Sequence, residues 1–355
     1  MSGGASRPAT TTPLIELDGV SRAFKVPSGT ITAVRDIALA LGVSETMCIV
    51  GESGCGKTTT GRMLAGLLRP TSGRLLFEGQ DVWEKKGQDL ARFRTAVQLV
   101  HQDPYASLNP TRTVYQTLSA PLFHHHKVRG DRAGKQRVRE LLEKVGLTPP
   151  DDFLVKYPHQ LSGGQRQRVA IARALTVEPR VIVADEAVSM VDVSIRISLL
   201  NLLRGLRDTM GVTIVLITHD LAVARFFATG GRIGVMYLGR MVELSHTEAL
   251  VGDPAHPYSA ALIAAIPEAD PTITRTKRRI ELRTAEVPSL LALPPGCAFH
   301  PRCPLSEPGL CDTAMPLLAP IPSDLADRSL GRAREVACHV AVRERTPAAE
   351  LLGVR

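Results

Sequence analysis

The chain has 355 residues, of which 44% are hydrophobic and 4% aromatic, and its net charge is +8. This length can bury the cores of one large and one small domain. No apolar run approaches the roughly 20 residues that cross a bilayer. Residues 1–13 lack a signal peptide's apolar core, so we expect a flexible lead-in and a protein at the cytoplasmic face of the membrane. Scattered basic residues without interleaved aromatic rings argue against a nucleic-acid partner.

Two antiparallel strands are the first predicted elements. Residues 14–41 alternate apolar and polar side chains around a turn at 27–29, which is typical of such strands. Phe24 lies on the first strand. From the sequence alone, a core position on that strand is as well supported as a functional role. A second strand pair is predicted over residues 73–82. The N-terminal part therefore predicts a small antiparallel sheet.

A glycine-rich loop follows the apolar run Met47–Val50 and precedes a helix predicted from Thr58 to Leu68. The loop fits the phosphate-loop pattern G-x-x-x-x-G-K-[ST] in its required strand–loop–helix context. Its backbone N–H groups cradle phosphate oxygens, Lys57 reaches the β- and γ-phosphates, and the Thr58 hydroxyl binds Mg²⁺. The residues assigned to nucleotide binding are Gly51, Ser53, Gly54, Cys55, Gly56, Lys57, Thr58 and Thr59.

Helical periodicity dominates between Gln102 and Leu161, with helices predicted over 114–124 and 132–145. A second glycine-rich segment, Ser162-Gly163-Gly164-Gln165, then opens the periodic stretch 166–175. This places a serine hydroxyl and glycine amides at a helix N-terminus, which is a second anion-binding end.

From Arg180 onward, strands and helices alternate, which indicates a parallel sheet covered by helices. Strand 181–184 ends at Asp185 and Glu186, and strand 212–217 leads to His219. Phosphoryl transfer to water needs Mg²⁺, neutralisation of charge around the γ-phosphate, and a group that positions or deprotonates the water. These three polar residues suit those tasks.

Prolines become frequent after Pro267, so residues 267–355 are predicted to form a C-terminal extension. In a cytosolic chain, clustered cysteines are more often metal ligands than disulfides. The spacing C-x₅-C-x₇-C-x₂₆-C lacks the C-x₂-C pairs of zinc ribbons and ferredoxins, which leaves zinc, an iron–sulfur cluster and free thiols open. The four cysteines are Cys297, Cys303, Cys311 and Cys338.

The order of the phosphate loop, the segment 161–165 and the strand 181–186 resembles that of ATP-binding-cassette (ABC) ATPases over residues 14–266. The resemblance implies an α/β cassette with a mixed-sheet core, an antiparallel β subdomain and an inserted helical subdomain at 103–160. It also implies that the chain binds ATP and Mg²⁺ and hydrolyses ATP.

The same resemblance implies a role for each site residue. Glu186 matches the general base, His219 the contact to the γ-phosphate, and Gln102 the residue that touches Mg²⁺ or the attacking water. Mg²⁺ would be held by Thr58, Gln102 and, through water, Asp185. Other matches are Phe24 stacking on adenine, Asp192 at a dimer interface, and Ser162, Gly163, Gly164 and Gln165 completing a partner's ATP site.

Residues 103–110, 235–240 and 256–258, together with the cysteine-containing tail, resemble the second, "F", ATPase of oligopeptide/dipeptide importers and their nickel-transporting relatives. This implies a motor paired with a homologous ATPase and two membrane permeases, which an extracellular binding protein supplies with substrate. Some members hold a [4Fe–4S] cluster on the tail cysteines, so the resemblance favours such a cluster here over zinc or free thiols. Nickel, glutathione or oligosaccharide uptake stays open as the substrate alternative. A soluble ABC ATPase is disfavoured because no coiled coil or second cassette is seen.

Overall fold

The computed structural model describes residues 12–27, 29–266, 280–321 and 334–353. Almost all of the expected flexible lead-in, residues 1–11, lies outside the described residues. Strands build two sheets. Their bounds are β1 Ile15–Val26, β2 Gly29–Leu41, β3 Thr46–Val50, β4 Ser72–Phe77, β5 Gln80–Asp81, β6 Val97–Val100, β7 Val181–Asp185, β8 Thr213–Ile217, β9 Arg232–Tyr237, β10 Arg240–His246, β11 Ala319–Pro320 and β12 Glu335–Val336.

Helices cover the sheets and fill the insertion. Among the described residues, no helix has the length and apolar character needed to cross a membrane. The helices are α1 Lys57–Leu64, α2 Gly87–Ala96, α3 Pro104–Ser107, α4 Val114–His124, α5 Asp131–Lys144, α6 Asp151–Leu154, α7 Gly163–Leu175, α8 Val193–Met210, α9 Leu221–Phe227, α10 Thr247–Gly252, α11 Pro257–Ala264, α12 His339–Glu344 and α13 Ala348–Leu351.

The smaller sheet is antiparallel, in the order β2-β1-β4-β5. Ile15 faces Leu41 on one side and Phe77 on the other, and all three side chains are buried. The alternation of apolar and polar residues thus predicts this sheet correctly, because one face packs on the core while the other faces solvent.

The larger sheet has the order β11-β12-β10-β9-β3-β8-β7-β6. Strands β6, β7, β8, β3 and β9 run parallel, and every residue of β3, β7 and β8 is buried. Continuous apolar strands are typical of parallel sheets that are covered on both faces. Since these strands point the same way, their carboxyl ends meet at one edge.

One sequence-based expectation needs correction. Helix α1 ends at Leu64 and not at Leu68, because Gly66 adopts a left-handed φ of 65° that breaks the helix. The C-terminal extension also adds strands to the large sheet, with Val336 of β12 paired to Glu243 of β10. Strands of two residues show no periodicity, so the sequence gives no sign of them. A domain boundary at residue 266 stays a prediction.

The segment between β6 and α7 contains helices, turns and loops without strands in its described structure. Helix α4 begins with a capping box between Thr113 and Gln116, which satisfies two backbone N–H groups. Helix α5 buries Val138, Leu141 and Leu142 in the hydrophobic core that also holds α4 and α7. Apolar packing therefore ties the insertion to the helix that starts at Ser162.

Candidate active site

The loop between β3 and α1 depends on glycine at two close backbone contacts. At Gly51, with φ of 154°, an added Cβ would lie 2.2 Å from the Met236 carbonyl oxygen. At Gly56, with φ of 102°, it would lie 2.3 Å from the Ala33 carbonyl oxygen. Any side chain at these positions would push the loop away from β9 and the β1–β2 hairpin. The narrow path brings successive backbone N–H groups together.

Lys57 lies buried inside this loop, with 5% of its surface exposed. Its ammonium donates to the carbonyl oxygens of Gly51 at 2.8 Å and Glu52 at 2.9 Å. The Cys55 thiol lies 3.9 Å from the same nitrogen, and burial raises its pKa, so it stays a neutral thiol at neutral pH. The lysine is thus held within the phosphate-binding loop by backbone contacts.

Two oxygen ligands suitable for Mg²⁺ meet where β7 ends and α1 begins. The Thr58 hydroxyl donates to Asp185 Oδ1 at 3.0 Å. Burial raises the pKa of Asp185, and the hydrogen bond from Thr58 opposes that rise. Hydroxyl, carboxylate and water oxygens are the ligands that Mg²⁺ prefers. The pair therefore fits the magnesium site expected from the sequence.

Glu186 connects the ends of three parallel strands. Its carboxylate accepts a hydrogen bond from Gln102 Nε2 at 2.9 Å, and its other oxygen lies 3.3 Å from His219 Nδ1. Gln102 follows β6, Glu186 follows β7 and His219 follows β8. Glu186 has a φ of 47°, a region that non-glycine residues enter at a cost of order 1–3 kcal/mol. A carboxylate, an amide and an imidazole therefore lie together at the ends of these strands.

Phe24 lies half-buried on the β1–β2 hairpin, where it pairs with Ile31. The Arg22 guanidinium carbon lies 4.8 Å from the centre of the Phe24 ring. The same hairpin carries Ala33, whose carbonyl touches Gly56 in the phosphate loop. An aromatic ring thus lies on the strand pair that lines the loop.

The second glycine-rich segment forms the start of α7. The Ser162 hydroxyl accepts from Gln165 N–H at 3.2 Å, and Gln165 Oε1 accepts from Ser162 N–H at 2.9 Å. Gly164 packs so closely on α8 that an added Cβ would lie 2.5 Å from Ile195 Cγ2. The side-chain hydrogen bonds described for Ser162 and Gln165 stay inside this helix start and do not reach the phosphate loop. Asp192, just before α8, is exposed.

Comparison with known proteins gives the same assignment over most of the chain. The ABC transporter family model matches residues 34–189, and the model of the C-terminal region of oligopeptide/dipeptide transporters matches residues 242–311. A probable peptide ABC transporter ATP-binding protein of Sinorhizobium fredii is 45% identical over 92% of this chain and 86% of its own length. The chain belongs to the ABC transporter ATP-binding proteins.

Two further relatives of this ABC ATPase are named as F-type subunits. The oligopeptide transport ATP-binding protein AppF of Bacillus subtilis is 42% identical over 85% of this chain and 92% of its own. OppF of Salmonella typhimurium is 41% identical over 82% and 85%. A dimeric ATP-binding cassette bound to ADP and Pi superposes with a TM-score of 0.58 and 30% identity, over 66% of this chain and 98% of its own. The predicted cassette fold and ATPase class are confirmed.

The four cysteines of the extension line a single pocket with a volume of about 10 Å³. The Cys297 N–H donates to the Cys311 carbonyl at 2.8 Å, and burial raises the pKa of Cys303 to about 12 and of Cys338 to about 11. Thiols are the ligand type that iron–sulfur clusters use. The pocket, however, is barely large enough for one water molecule. Within the described residues, no three His, Cys, Asp or Glu side chains are grouped to hold a metal ion.

Sequence reasoning missed a set of contacts around Glu52 in the phosphate loop. The Glu52 N–H donates to the Tyr258 hydroxyl at 3.0 Å, and its carboxylate pairs with Arg302 of the extension. These partners lie 206 and 250 residues away along the chain. The His256-Pro257-Tyr258 motif marks the family but carries no sign of its contact with the loop, and Arg302 has no such signal at all.

Proposed function

We propose that this chain is the ATP-hydrolysing motor of an importer that takes up oligopeptides or dipeptides across the cytoplasmic membrane. The cluster formed by Glu186, Gln102 and His219 beside the Thr58–Asp185 pair carries the hydrolytic half of this proposal. The peptide half is supported by the names of relatives that are 41–45% identical over most of the chain.

The residues of the cluster divide the tasks of hydrolysis among them. The phosphate-loop N–H groups and Lys57 would bind the phosphates. Thr58, Gln102 and, through water, Asp185 would hold Mg²⁺, which would neutralise charge on the β- and γ-phosphates. Glu186 accepts the proton of the attacking water. The amide of Gln102 fixes the Glu186 carboxylate, and His219 contacts the γ-phosphate. The hydrogen bond from Gln102 Nε2 and the close approach of His219 Nδ1 hold the Glu186 carboxylate in place before ATP binds.

The proposal includes a second, homologous ATPase subunit, with two ATP sites formed between the two chains. Ser162, which is exposed, and the amides of Gly163 and Gly164 form an anion-binding helix start whose described side-chain hydrogen bonds do not reach the chain's own phosphate loop, so it would be available to a partner's nucleotide. Asp192 would lie at the same interface, and Phe24 would stack on the adenine of the chain's own ATP.

The membrane partners are two permease subunits, supplied with substrate by an extracellular binding protein. The chain itself would be peripheral, at the cytoplasmic face. Its docking surface would be the helical block at 103–160, which begins next to Gln102 and exposes the Tyr105 ring. The Arg166 guanidinium carbon lies 3.7 Å from the centre of that ring, which links the surface to the helix that starts at Ser162.

The decisive experiment reconstitutes the chain with its partner ATPase and permeases in proteoliposomes, together with the binding protein. Defined dipeptides and oligopeptides, nickel, glutathione and a short oligosaccharide are offered in parallel. We expect peptide uptake and peptide-stimulated ATP hydrolysis. Uptake of nickel, glutathione or the oligosaccharide without peptide would overturn the peptide assignment. Hydrolysis that is indifferent to the permeases would overturn the transport role.

A [4Fe–4S] cluster on the four pocket cysteines is a separate part of the proposal. The convergence of Cys297, Cys303, Cys311 and Cys338 supports it, whereas the small pocket requires the segment to open around the cluster. The full chain purified without oxygen should contain about four irons and absorb broadly in the visible range. Cys303→Ser should lose the iron, and Cys48→Ser, in the cassette core, should keep it. Stoichiometric zinc would contradict the cluster. So would a lack of iron in both the wild-type chain and Cys48→Ser.

A further inference from the structure

The carboxylate of Glu52, the second residue of the phosphate loop, is bound by an arginine of the C-terminal extension. Arg302 Nη1 lies 3.1 Å from Oε1 and 3.0 Å from Oε2 of Glu52, and Nη2 lies 3.1 Å from Oε1. The side chains are 7% and 30% exposed, respectively. A two-pronged guanidinium–carboxylate contact that is largely shielded from water is the strong form of this interaction.

Arg302 is itself held in place. Its N–H donates to the Phe299 carbonyl at 3.0 Å, and its guanidinium carbon lies 5.7 Å from the ring centres of both Phe299 and Tyr237. Nη1 also donates to the Tyr237 hydroxyl at 3.3 Å. Cys303, one of the four pocket cysteines, follows directly in the chain. The guanidinium is therefore fixed by the extension on one side and by β9 on the other.

Glu52 passes this constraint to the phosphate-binding lysine. Its N–H is fixed by the Tyr258 hydroxyl, and its carbonyl accepts from the Lys57 ammonium at 2.9 Å and from the Cys55 N–H at 3.3 Å. Glu52 thus contacts Arg302 through its side chain and Lys57 through its backbone carbonyl. No other described residue joins the extension to the loop by an ion pair.

Charge gives a second reason for the contact. ATP and ADP bring several negative charges to this loop, and an unpaired Glu52 carboxylate would repel them. Arg302 both neutralises the charge of that carboxylate and fixes its orientation. Ordering the loop before the nucleotide arrives also lowers the entropy lost on binding.

We propose that Arg302 is a positioning residue of the nucleotide site, acting through Glu52, so that the C-terminal extension completes the phosphate loop. The assignment requires nucleotide binding at the loop. It is independent of the transported molecule and of any metal on the cysteines.

The test is a double-mutant cycle on the full chain, with Mg-ADP as the probe because ADP binds without being hydrolysed. Arg302→Gln should weaken Mg-ADP binding on the order of tenfold, in the range of typical coupling between sites. The same substitution in a Glu52→Gln background should change binding less than twofold, because the carboxylate on which Arg302 acts is gone. Arg302→Lys, which keeps the charge without the two-pronged contact, should fall between the wild type and Arg302→Gln.

Arg343→Gln is the matched control, because it removes an exposed arginine that pairs with Glu307 in the same extension. It should leave the Mg-ADP dissociation constant unchanged. Equal loss of binding from Arg302→Gln in both backgrounds would show that the arginine acts only through folding of the extension, and would overturn the proposal. Unchanged binding in Arg302→Gln would overturn it as well. Either result leaves the peptide-import proposal standing, because that is decided by uptake.

Discussion

Glu186 holds a strained backbone position and is hydrogen-bonded on one carboxylate oxygen by Gln102. Glu186→Gln keeps the size of the side chain and removes its ability to take a proton. We expect nucleotide binding to persist while turnover of the assembled transporter falls by about 10²–10⁴-fold, the usual contribution of a general base. Steady-state ATP hydrolysis together with nucleotide titration measures both quantities.

Glu84→Gln, at an exposed turn after β5, is the matched control and should hydrolyse ATP at the wild-type rate. Undiminished turnover in the Glu186 variant would remove that residue from the catalytic role.

At Asp185, stability and function make opposite demands on the ionisation of the carboxyl group. Burial raises its pKa in the folded protein, so folding favours its protonated form. Its contribution to the free energy of unfolding is therefore fully present below the unfolded pKa and is lost as pH rises through the higher folded pKa. At neutral pH, Asp185→Asn should raise the Tm of the nucleotide-free protein, and the gain should shrink as pH falls towards the folded pKa.

The same substitution should abolish Mg²⁺-dependent hydrolysis, because a carboxylate ligand is lost. Thermal unfolding at a series of pH values, with Asp89→Asn on the exposed start of α2 as the control, measures the first effect. A lower Tm at neutral pH would show that the Asp185 carboxylate is stabilised by its surroundings, against the direction of its pKa shift.

Among the secondary-structure elements, the short helix α3 links Gln102, which contacts Glu186, to the rest of the helical block. Gln102 precedes it, Arg173 of α7 donates to the Ser107 carbonyl at its end, and Arg166 stacks on Tyr105. A movement of Gln102 would therefore reach the exposed surface and the Ser162 helix together. Nucleotide drives the permeases only if the coupled states differ in affinity for it.

Charge reversal at Arg112, an exposed residue after α3, tests this surface. We expect Arg112→Glu to lower transport or complex assembly by about 100-fold or more, since a misplaced charge at an interface costs several kcal/mol. Nucleotide binding by the separate subunit should not change. Lys86→Glu, exposed before α2, serves as the control. Wild-type assembly and uptake in Arg112→Glu would place the docking surface elsewhere.

The predictable part of the site consists of residues that follow parallel strands. Asp185, Glu186 and His219 come directly after apolar runs, and strand ends in a parallel sheet converge whatever the details of packing. The positive φ of Glu186 has no such signature, because it follows from how the chain leaves β7. The contact of Arg302 with Glu52 is equally hidden in the sequence, since partners far apart in the chain leave no local pattern.

At the scale of the whole molecule, a buried ion pair fastens the extension to the cassette. The Glu243 side chain is fully buried in β10, where it accepts from Arg334 at 3.1 Å and from the N–H groups of Ala255 and His256. Removing one partner of such a pair leaves an uncompensated buried charge. Arg334→Leu should therefore lower the free energy of unfolding by about 3–5 kcal/mol.

Denaturant unfolding measures that loss. Arg343→Leu breaks an exposed ion pair within the extension and should leave the free energy of unfolding nearly unchanged, because solvent screens such pairs. Equal, small losses in the two variants would mean that the contact with Arg334 does not hold the extension in place.

The pairing of β12 with β10 has a consequence for how the protein is made. During synthesis, β10 leaves the ribosome roughly 90 residues before its neighbour, a delay of about 5–18 s at the usual 5–20 residues per second. Throughout that time the backbone N–H and C=O groups on the outer edge of β10 lack their partners from β12. Unpaired groups on an edge strand can pair with other chains. A nascent chain halted before residue 335 should therefore need a chaperone to remain dispersed, whereas in the finished chain β12 covers part of that edge.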